Sequence, residues 1–128
     1  MLSRAFRLTT SKDIARVASS KRRFQTSFFS VVSAPNTLGH IRVAFVVSSK
    51  IGKRAVTRNL LKRRLRTVFR KMVDLDRYSY DVLVFGRSGA VTYSSPRIKG
   101  KRTPKATVVA YATLLESAQG LQNFFVSL

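Results

Sequence analysis

Two apolar runs flank a basic amphipathic segment in the middle of the chain, and this arrangement constrains the fold more than any other feature. IRVAFVVSSK (41–50) and YDVLVFG (80–86) are rich in β-branched and aromatic residues, which predicts two strands. The segment 53–72 between them has helical periodicity. Its apolar stripe consists of Leu61, Leu65, Val68, Phe69 and Met72. A strand, a helix and a second strand predict a parallel crossover with the helix packed on the sheet.

The rest of the chain is assigned from the same kinds of pattern. The assigned elements are a helix over about 11–19, a strand over 24–34, a turn at 35–40, a flexible basic loop over 87–105 and a terminal helix over 106–125. The turn predicts that strands 24–34 and 41–50 pair as a hairpin. The order α-β-β-α-β-α predicts one domain over 1–128, a small α+β sandwich in which helices pack on a central mixed sheet.

The charge is unbalanced and segregated. The chain has 25 Lys and Arg residues against 5 Asp and Glu, a formal net charge of +20. Residues 14–73 hold 15 of the cations and no acid. Because such a field opposes compactness, it predicts a polyanionic partner, nucleic acid first and an anionic membrane surface second. No apolar run approaches the roughly 18 residues of a transmembrane helix, so the chain is expected to be soluble and cytoplasmic.

The cations of the central helix fall on one face. An arc beside the apolar stripe consists of Asn59, Lys62, Arg63, Arg66 and Arg70. Arginine binds phosphate through a bidentate fork, so this arc predicts phosphate contacts. Asn59 fits two roles equally well, a contact to a base edge or sugar hydroxyl, or a local backbone hydrogen bond.

No catalytic or metal-binding constellation is evident in the sequence. The chain has no cysteine and a single histidine, His40, which falls in the predicted turn. The five acids are scattered along the chain, and no serine lies in a G-x-S-x-G context. We therefore expect this chain to supply binding groups and no metal site of its own.

The segment GKRAVTRNLLKRRLR resembles the arginine–asparagine–arginine motif of the bacterial ribonuclease P protein family. The matching positions are Gly52, Lys53, Val56, Arg58, Asn59, Lys62, Arg63 and Arg66. Ser49 and Lys50, which precede the motif, are similar to the end of the family's preceding strand. FRLTTSKDIARV and YDVLVFGRSGA also resemble family segments, so the resemblance covers about residues 4–90.

The resemblance implies a fold and a function. The fold is like that of domain 2 of ribosomal protein S5, with a left-handed crossover, although handedness statistics favour a right-handed one. The implied function is that of the protein subunit of an RNA-based endoribonuclease that removes the 5′ leader of precursor tRNA. A catalytic RNA and its bound Mg²⁺ would perform the hydrolysis in a 1:1 ribonucleoprotein. The implied RNA-binding residues are Lys50, Lys53, Arg54, Arg58, Asn59, Lys62, Arg63, Arg66 and Arg70.

The family also binds the 5′ leader in a cleft between its first helix and the sheet. The cleft positions implied here are Phe6, Ile14, Ala18, Phe29 and Val32. The family usually carries aromatic residues where this sequence has Ile14, Ala18 and Val32, and nearby phenylalanines are the candidates to compensate.

Residues 1–23 are rich in Arg and Ser, as in a mitochondrial transit peptide. Because the family begins with a helix of the domain, we instead predict that residues 4–20 belong to the fold.

Two other functions fit the composition. One is a ribosomal or other structural RNA-binding protein, and the other is a basic protein that binds DNA or a membrane surface. Composition does not separate these two functions from that of a ribonuclease P protein subunit. The ordered motif favours the ribonuclease P interpretation.

Overall fold

The computed structural model describes residues 4–93 and 106–126 of the chain. Short 3₁₀ turns occur at Arg4–Phe6 and Ser88–Ala90. The helices are α1 (Ser11–Ala18), α2 (Ala55–Met72), α3 (Tyr111–Ser117) and α4 (Leu121–Val126). The strands are β1 (Arg23–Gln25), β2 (Phe29–Pro35), β3 (Arg42–Val46), β4 (Tyr80–Gly86), β5 (Val91–Tyr93) and β6 (Ala106–Val108).

The main sheet has the strand order β1-β2-β4-β3. β4 is parallel to β3 and antiparallel to β2, which confirms the mixed sheet and the parallel connection through α2. The left-handed sense of that connection stays a prediction. The predicted hairpin between 24–34 and 41–50 is wrong, because β4 lies between β2 and β3. A strand covered on both faces needs side chains that are apolar or hydrogen-bonded. The buried residues 81–84 of β4 meet this requirement, so β4 can take the central position.

Side chains alternate between two cores on opposite faces of the sheet, which confirms the α+β sandwich. On one face Val31, Val43, Val82 and Val84 pack against the apolar stripe of α2 and against α3 and α4. The opposite face carries the smaller core under α1. Its buried members are Leu8, Val17, Val32, Ala34 and Leu83.

The strand predicted over 24–34 is two strands. Thr26 interrupts it, because its hydroxyl accepts hydrogen bonds from the N–H groups of Phe28 (3.1 Å) and Phe29 (3.1 Å). The resulting turn lets β1 fold back antiparallel on β2, with Phe24 opposite Val31. A threonine hydroxyl competing for backbone donors is a recognised cause of such turns.

The C-terminal third differs most from the prediction. Residues 106–108, assigned to a terminal helix, form β6 and pair with β5, and α3 and α4 are separate helices. Gly120 lies between them, where a Cβ would be 3.1 Å from the ring of Phe24. Residues 88–93 of the predicted loop are in the second 3₁₀ turn and β5, so the loop assignment was too long. Residues 94–105 of that assignment lie outside the described ranges.

Candidate nucleic-acid interface

The exposed face of α2 carries the predicted cationic arc. The stripe residues Leu61, Leu65, Val68 and Phe69 are buried against the sheet, and Met72 is half-buried. On the opposite side Asn59, Arg63 and Arg70 are exposed, while Lys62 and Arg66 are half-buried. Burial of the apolar stripe therefore fixes which way the basic arc points.

The cations of α2 have no acid within the helix to relieve their mutual repulsion. The helix contains none in its 18 residues, and its first turn lacks the acid that would complement the helix dipole. Its N-cap, Arg54, makes no side-chain capping hydrogen bond. A helix built this way gains its stability from packing of the apolar stripe, and its outer face stays positively charged for a partner to neutralise.

Arg58 has a structural role that the sequence did not indicate. Its Nη1 donates to the carbonyl oxygens of Gly52 (2.8 Å) and Lys53 (3.0 Å). These bonds tie the loop before α2 to the first turn of the helix. Arg58 is half-buried, in contrast to the exposed Arg63. Its side chain therefore shapes the loop, whatever its remaining donors bind.

The other predicted cations lie on that loop. Lys50, Lys53 and Arg54 are exposed. The loop turns where the N–H groups of Ile51 and Gly52 both donate to the Ser48 carbonyl, each at 3.1 Å. The loop leads directly into α2 and adds its exposed cations to those of the arc. We call the loop residues 50–54 together with the arc the α2 basic face.

A cleft of about 330 Å³ extends the α2 basic face toward β3. Lys62 and Arg66 line one wall, and Arg7, from the segment before α1, lines the other. The Arg66 guanidinium lies 5.7 Å from the centroid of the Phe45 ring, a cation–π distance. Cations and an aromatic ring thus share one cleft beside the edge strand.

The residues predicted for the leader cleft do not share a surface. Phe29 is 2% exposed and belongs to the core under α2, whereas Val32 is 0% exposed and belongs to the core under α1. They point to opposite faces of β2 because they are three residues apart. Phe6 packs edge-on against His40 with ring centroids 5.4 Å apart. The prediction therefore fails for the two buried residues, which are not accessible to a ligand.

The accessible part of the sheet beside α1 is formed by other residues. Ile14 is half-buried and Ala18 exposed on the helix. On the sheet, Ala44 and Phe85 are half-buried and pack at the edge of the smaller core, and Val46, opposite Phe85 in the register, is exposed. This α1–sheet surface has an aromatic side chain on β4, whereas the family resemblance implies aromatic positions on α1 and β2.

A buried polar network at the other end of α1 was missed from the sequence. Asp81 on β4 is 0% exposed. Its carboxylate accepts bonds from Arg42 Nε (2.9 Å), Arg42 Nη2 (2.7 Å) and Asn36 Nδ2 (2.8 Å), and also from Arg16 on α1. Arg42 also contacts Asp13 of α1 at 3.3 Å. An aspartate inside the apolar run YDVLVFG was the available signal, since a buried carboxylate requires partners.

These partners set the ionisation of the network. Burial acts to raise the pKa of Asp81, but the hydrogen bonds from Arg42 and Asn36 and the attraction to Arg42 and Arg16 outweigh it and lower the pKa below its ordinary value. The hydrogen bond to Asp81 is the main cause that raises the pKa of Arg42. The carboxylate is therefore charged at neutral pH and fastens α1 to β4 and β3.

Two other kinds of feature are absent from the described ranges. None of the helices there is both long and apolar enough to cross a bilayer. Within residues 4–93 and 106–126, no three His, Cys, Asp or Glu side chains are grouped so that they could hold a metal ion.

Comparison with known proteins gives consistent matches. A sequence model of the family described as Ribonuclease P matches residues 2–106. The ribonuclease P protein component of Chromobacterium violaceum is 43% identical over 67 residues, which cover 52% of this chain and 55% of that relative. The component from Syntrophobacter fumaroxidans is 40% identical over 90 residues, covering 70% of this chain and 75% of that protein.

A solved structure matches over most of the chain. The ribonuclease P protein from Thermotoga maritima superposes with a TM-score of 0.65 at 24% identity, covering 90% of this chain and 93% of that one. At that identity the likeness concerns the fold. The chain spans about half the length of the first curated relatives that it matches, 55% and 56%.

Proposed function

This chain belongs to the ribonuclease P protein family, and from that premise we propose that it binds a catalytic RNA through the α2 basic face. The assembly would be a 1:1 ribonucleoprotein that removes the 5′ leader of precursor tRNA. The observation that carries the proposal is the one-signed face of α2, with Asn59, Lys62, Arg63, Arg66 and Arg70 turned away from the core. Cations held on a helix that is already ordered can contact RNA phosphates with little further loss of conformational entropy.

The division of labour in this proposal follows from the side chains available. Lysine and arginine neutralise phosphates and release condensed counterions, which supplies affinity. We assign the hydrolysis to the RNA and its Mg²⁺, which in two-metal sites activates water and stabilises the leaving oxygen. The α2 basic face would orient the RNA, and this chain would raise activity by positioning and by charge neutralisation.

The leader of the substrate is assigned to the α1–sheet surface. Phe85 offers a partly accessible ring, and Val46 and Ala44 continue the apolar surface along β3. Single-stranded nucleic acid binds such surfaces by stacking bases on an aromatic side chain while nearby cations hold the backbone. The network around Asp81 supports this assignment because it fixes α1, one wall of the surface, against the sheet.

Titration with a ribonuclease P RNA transcript at several salt concentrations tests the proposal. If six to ten phosphates are contacted, affinity falls about 10³–10⁵-fold between 50 and 200 mM salt. Arg66→Ala should weaken binding and reduce the salt slope by about 1, because it removes one phosphate contact. The matched control is Arg77→Ala, which removes an exposed arginine after the end of α2. Equal losses in both variants would contradict the assignment of the face.

A further inference from the structure

The strand pair β5–β6 is fastened beside α2. Val91 and Val108 face each other in the register, and both are buried in the core under α2. The Nη1 of Arg64 donates to the carbonyl oxygens of Val108 (3.0 Å) and Val109 (2.9 Å). The pair therefore has a fixed position relative to the helix. Three of its side chains are exposed. Tyr93 lies on the same face of the pair as Val91 and Val108, whereas Thr92 and Thr107 lie on the opposite face.

Tyr93 connects this strand pair to the loop before α2. Its hydroxyl donates to the Ile51 carbonyl (3.0 Å) and accepts a hydrogen bond from the Lys53 N–H (3.2 Å). The Lys53 ammonium lies 5.8 Å from the centroid of the ring. Because the hydroxyl both donates to and accepts from the loop, the ring is held in one place. The residue is still 37% exposed. An oriented aromatic ring thus lies among the cations of residues 50–54.

We infer that Tyr93 is a further RNA-binding residue, so that the β5–β6 pair enlarges the surface that α2 offers to RNA. The inference rests on the proposed function and deepens it. The ring would stack on an unpaired base of the RNA while Lys53 meets the adjacent phosphate, the combination that single-stranded nucleic acid favours. The two hydrogen bonds reduce the entropy lost on binding, because ring and loop are ordered before the RNA arrives.

Two substitutions separate the ring from the hydroxyl. Tyr93→Leu removes both, and we expect the ribonuclease P RNA transcript to bind about tenfold or more weakly, as for loss of one stacked base. Tyr93→Phe keeps the ring and loses the two hydrogen bonds, so we expect an intermediate loss of about threefold. Tyr111→Phe, on α3, is the hydroxyl control and should bind as the parent does. Wild-type affinity of Tyr93→Leu, with an unchanged circular dichroism spectrum, would overturn the inference.

Cleavage of the RNA by a reagent tethered to the protein tests for proximity directly. A substitution that only loosened the loop would not produce such cleavage. Because the chain contains no cysteine, a single introduced cysteine can carry an iron–EDTA group at one position. Thr107→Cys reports on β6, Val56→Cys on the 78% exposed side chain in the first turn of α2, and Thr37→Cys on the turn at the opposite end of β3. We expect strand scission of the bound transcript from positions 107 and 56, and little from position 37.

The pattern of scission distinguishes the two proposals. Scission from position 56 but not from 107 would overturn the role of the β5–β6 pair and leave the α2 basic face in place. Absence of scission from both, in a protein that still melts cooperatively, would overturn the proposed function together with the inference. Scission from 107 combined with the loss in Tyr93→Leu is the result that the structure predicts.

Discussion

Replacing Asp81 by asparagine should destabilise the fold strongly, because Asp81 is the charged centre of a buried network. The change keeps the size of the side chain and removes the negative charge that faces Arg42 and Arg16. The asparagine Nδ2 would also face guanidinium N–H groups, and two donors cannot hydrogen-bond to each other. The carboxylate accepts from three neighbouring side chains, so the substitution leaves more than one donor unsatisfied.

The size of the loss in unfolding free energy depends on how well water can solvate each arginine once the carboxylate is removed. Breaking a fully buried ion pair costs about 3–5 kcal/mol. The side chains of Arg42 and Arg16 keep 23% and 44% of their accessible surface, so water compensates part of that loss. We therefore expect the free energy of unfolding to fall by about 2–4 kcal/mol at pH 7, a large part of the roughly 5–15 kcal/mol of a typical domain.

Urea unfolding followed by circular dichroism measures this loss, with Asp76→Asn as the control at an exposed aspartate. The lowered pKa of Asp81 also sets a pH dependence. Its contribution is complete above the unfolded-state pKa of about 3.9 and is lost as pH falls through the lower folded-state pKa. The difference between parent and variant should therefore shrink below about pH 4. A loss under about 0.5 kcal/mol at pH 7 would refute the reasoning, because it falls within the roughly 0–1 kcal/mol that exposed pairs contribute.

Three further substitutions test the packing. Leu65→Ala should cost about 2–5 kcal/mol in thermal or urea unfolding, since it leaves a cavity under α2, whereas Val56→Ala at an exposed position should cost little. Gly89→Ala should cost about 1–3 kcal/mol, because a Cβ there would lie 2.3 Å from the Ser27 carbonyl oxygen; an unchanged melting temperature would contradict that close approach. The buried Tyr78 hydroxyl has no hydrogen-bond partner among the described residues, so Tyr78→Phe should be neutral or raise the midpoint of unfolding slightly.

The centre of the fold was predictable because its signals are local. The alternation of apolar and basic residues over 53–72 predicted both the buried stripe and the exposed arc of α2. The largely apolar run at 80–86 predicted β4 with the bounds that the structure has. In both cases periodicity alone decides which side chains are buried, so no knowledge of distant partners was needed.

The errors concern pairing between distant segments. Strands 24–34 and 41–50 are close in sequence, but nothing local indicates that β4 will insert between them. Likewise, residues 106–108 fit the pattern of the helix predicted over 106–125, and nothing local indicates that they will pair with β5. The leader-cleft prediction failed for a related reason, since assigning Phe29 and Val32 to one surface ignored their opposite faces on β2.

Reconstitution measures the central claim most directly. The purified chain is added to a ribonuclease P RNA transcript and a 5′-labelled precursor tRNA at a Mg²⁺ concentration too low for the RNA alone. We predict that the chain alone cuts nothing, that the mixture releases the 5′ leader, and that Arg66→Ala requires more protein than Arg77→Ala for half-maximal cleavage. Failure of the folded chain to stimulate cleavage by any ribonuclease P RNA tested, its own organism's included, would contradict the account.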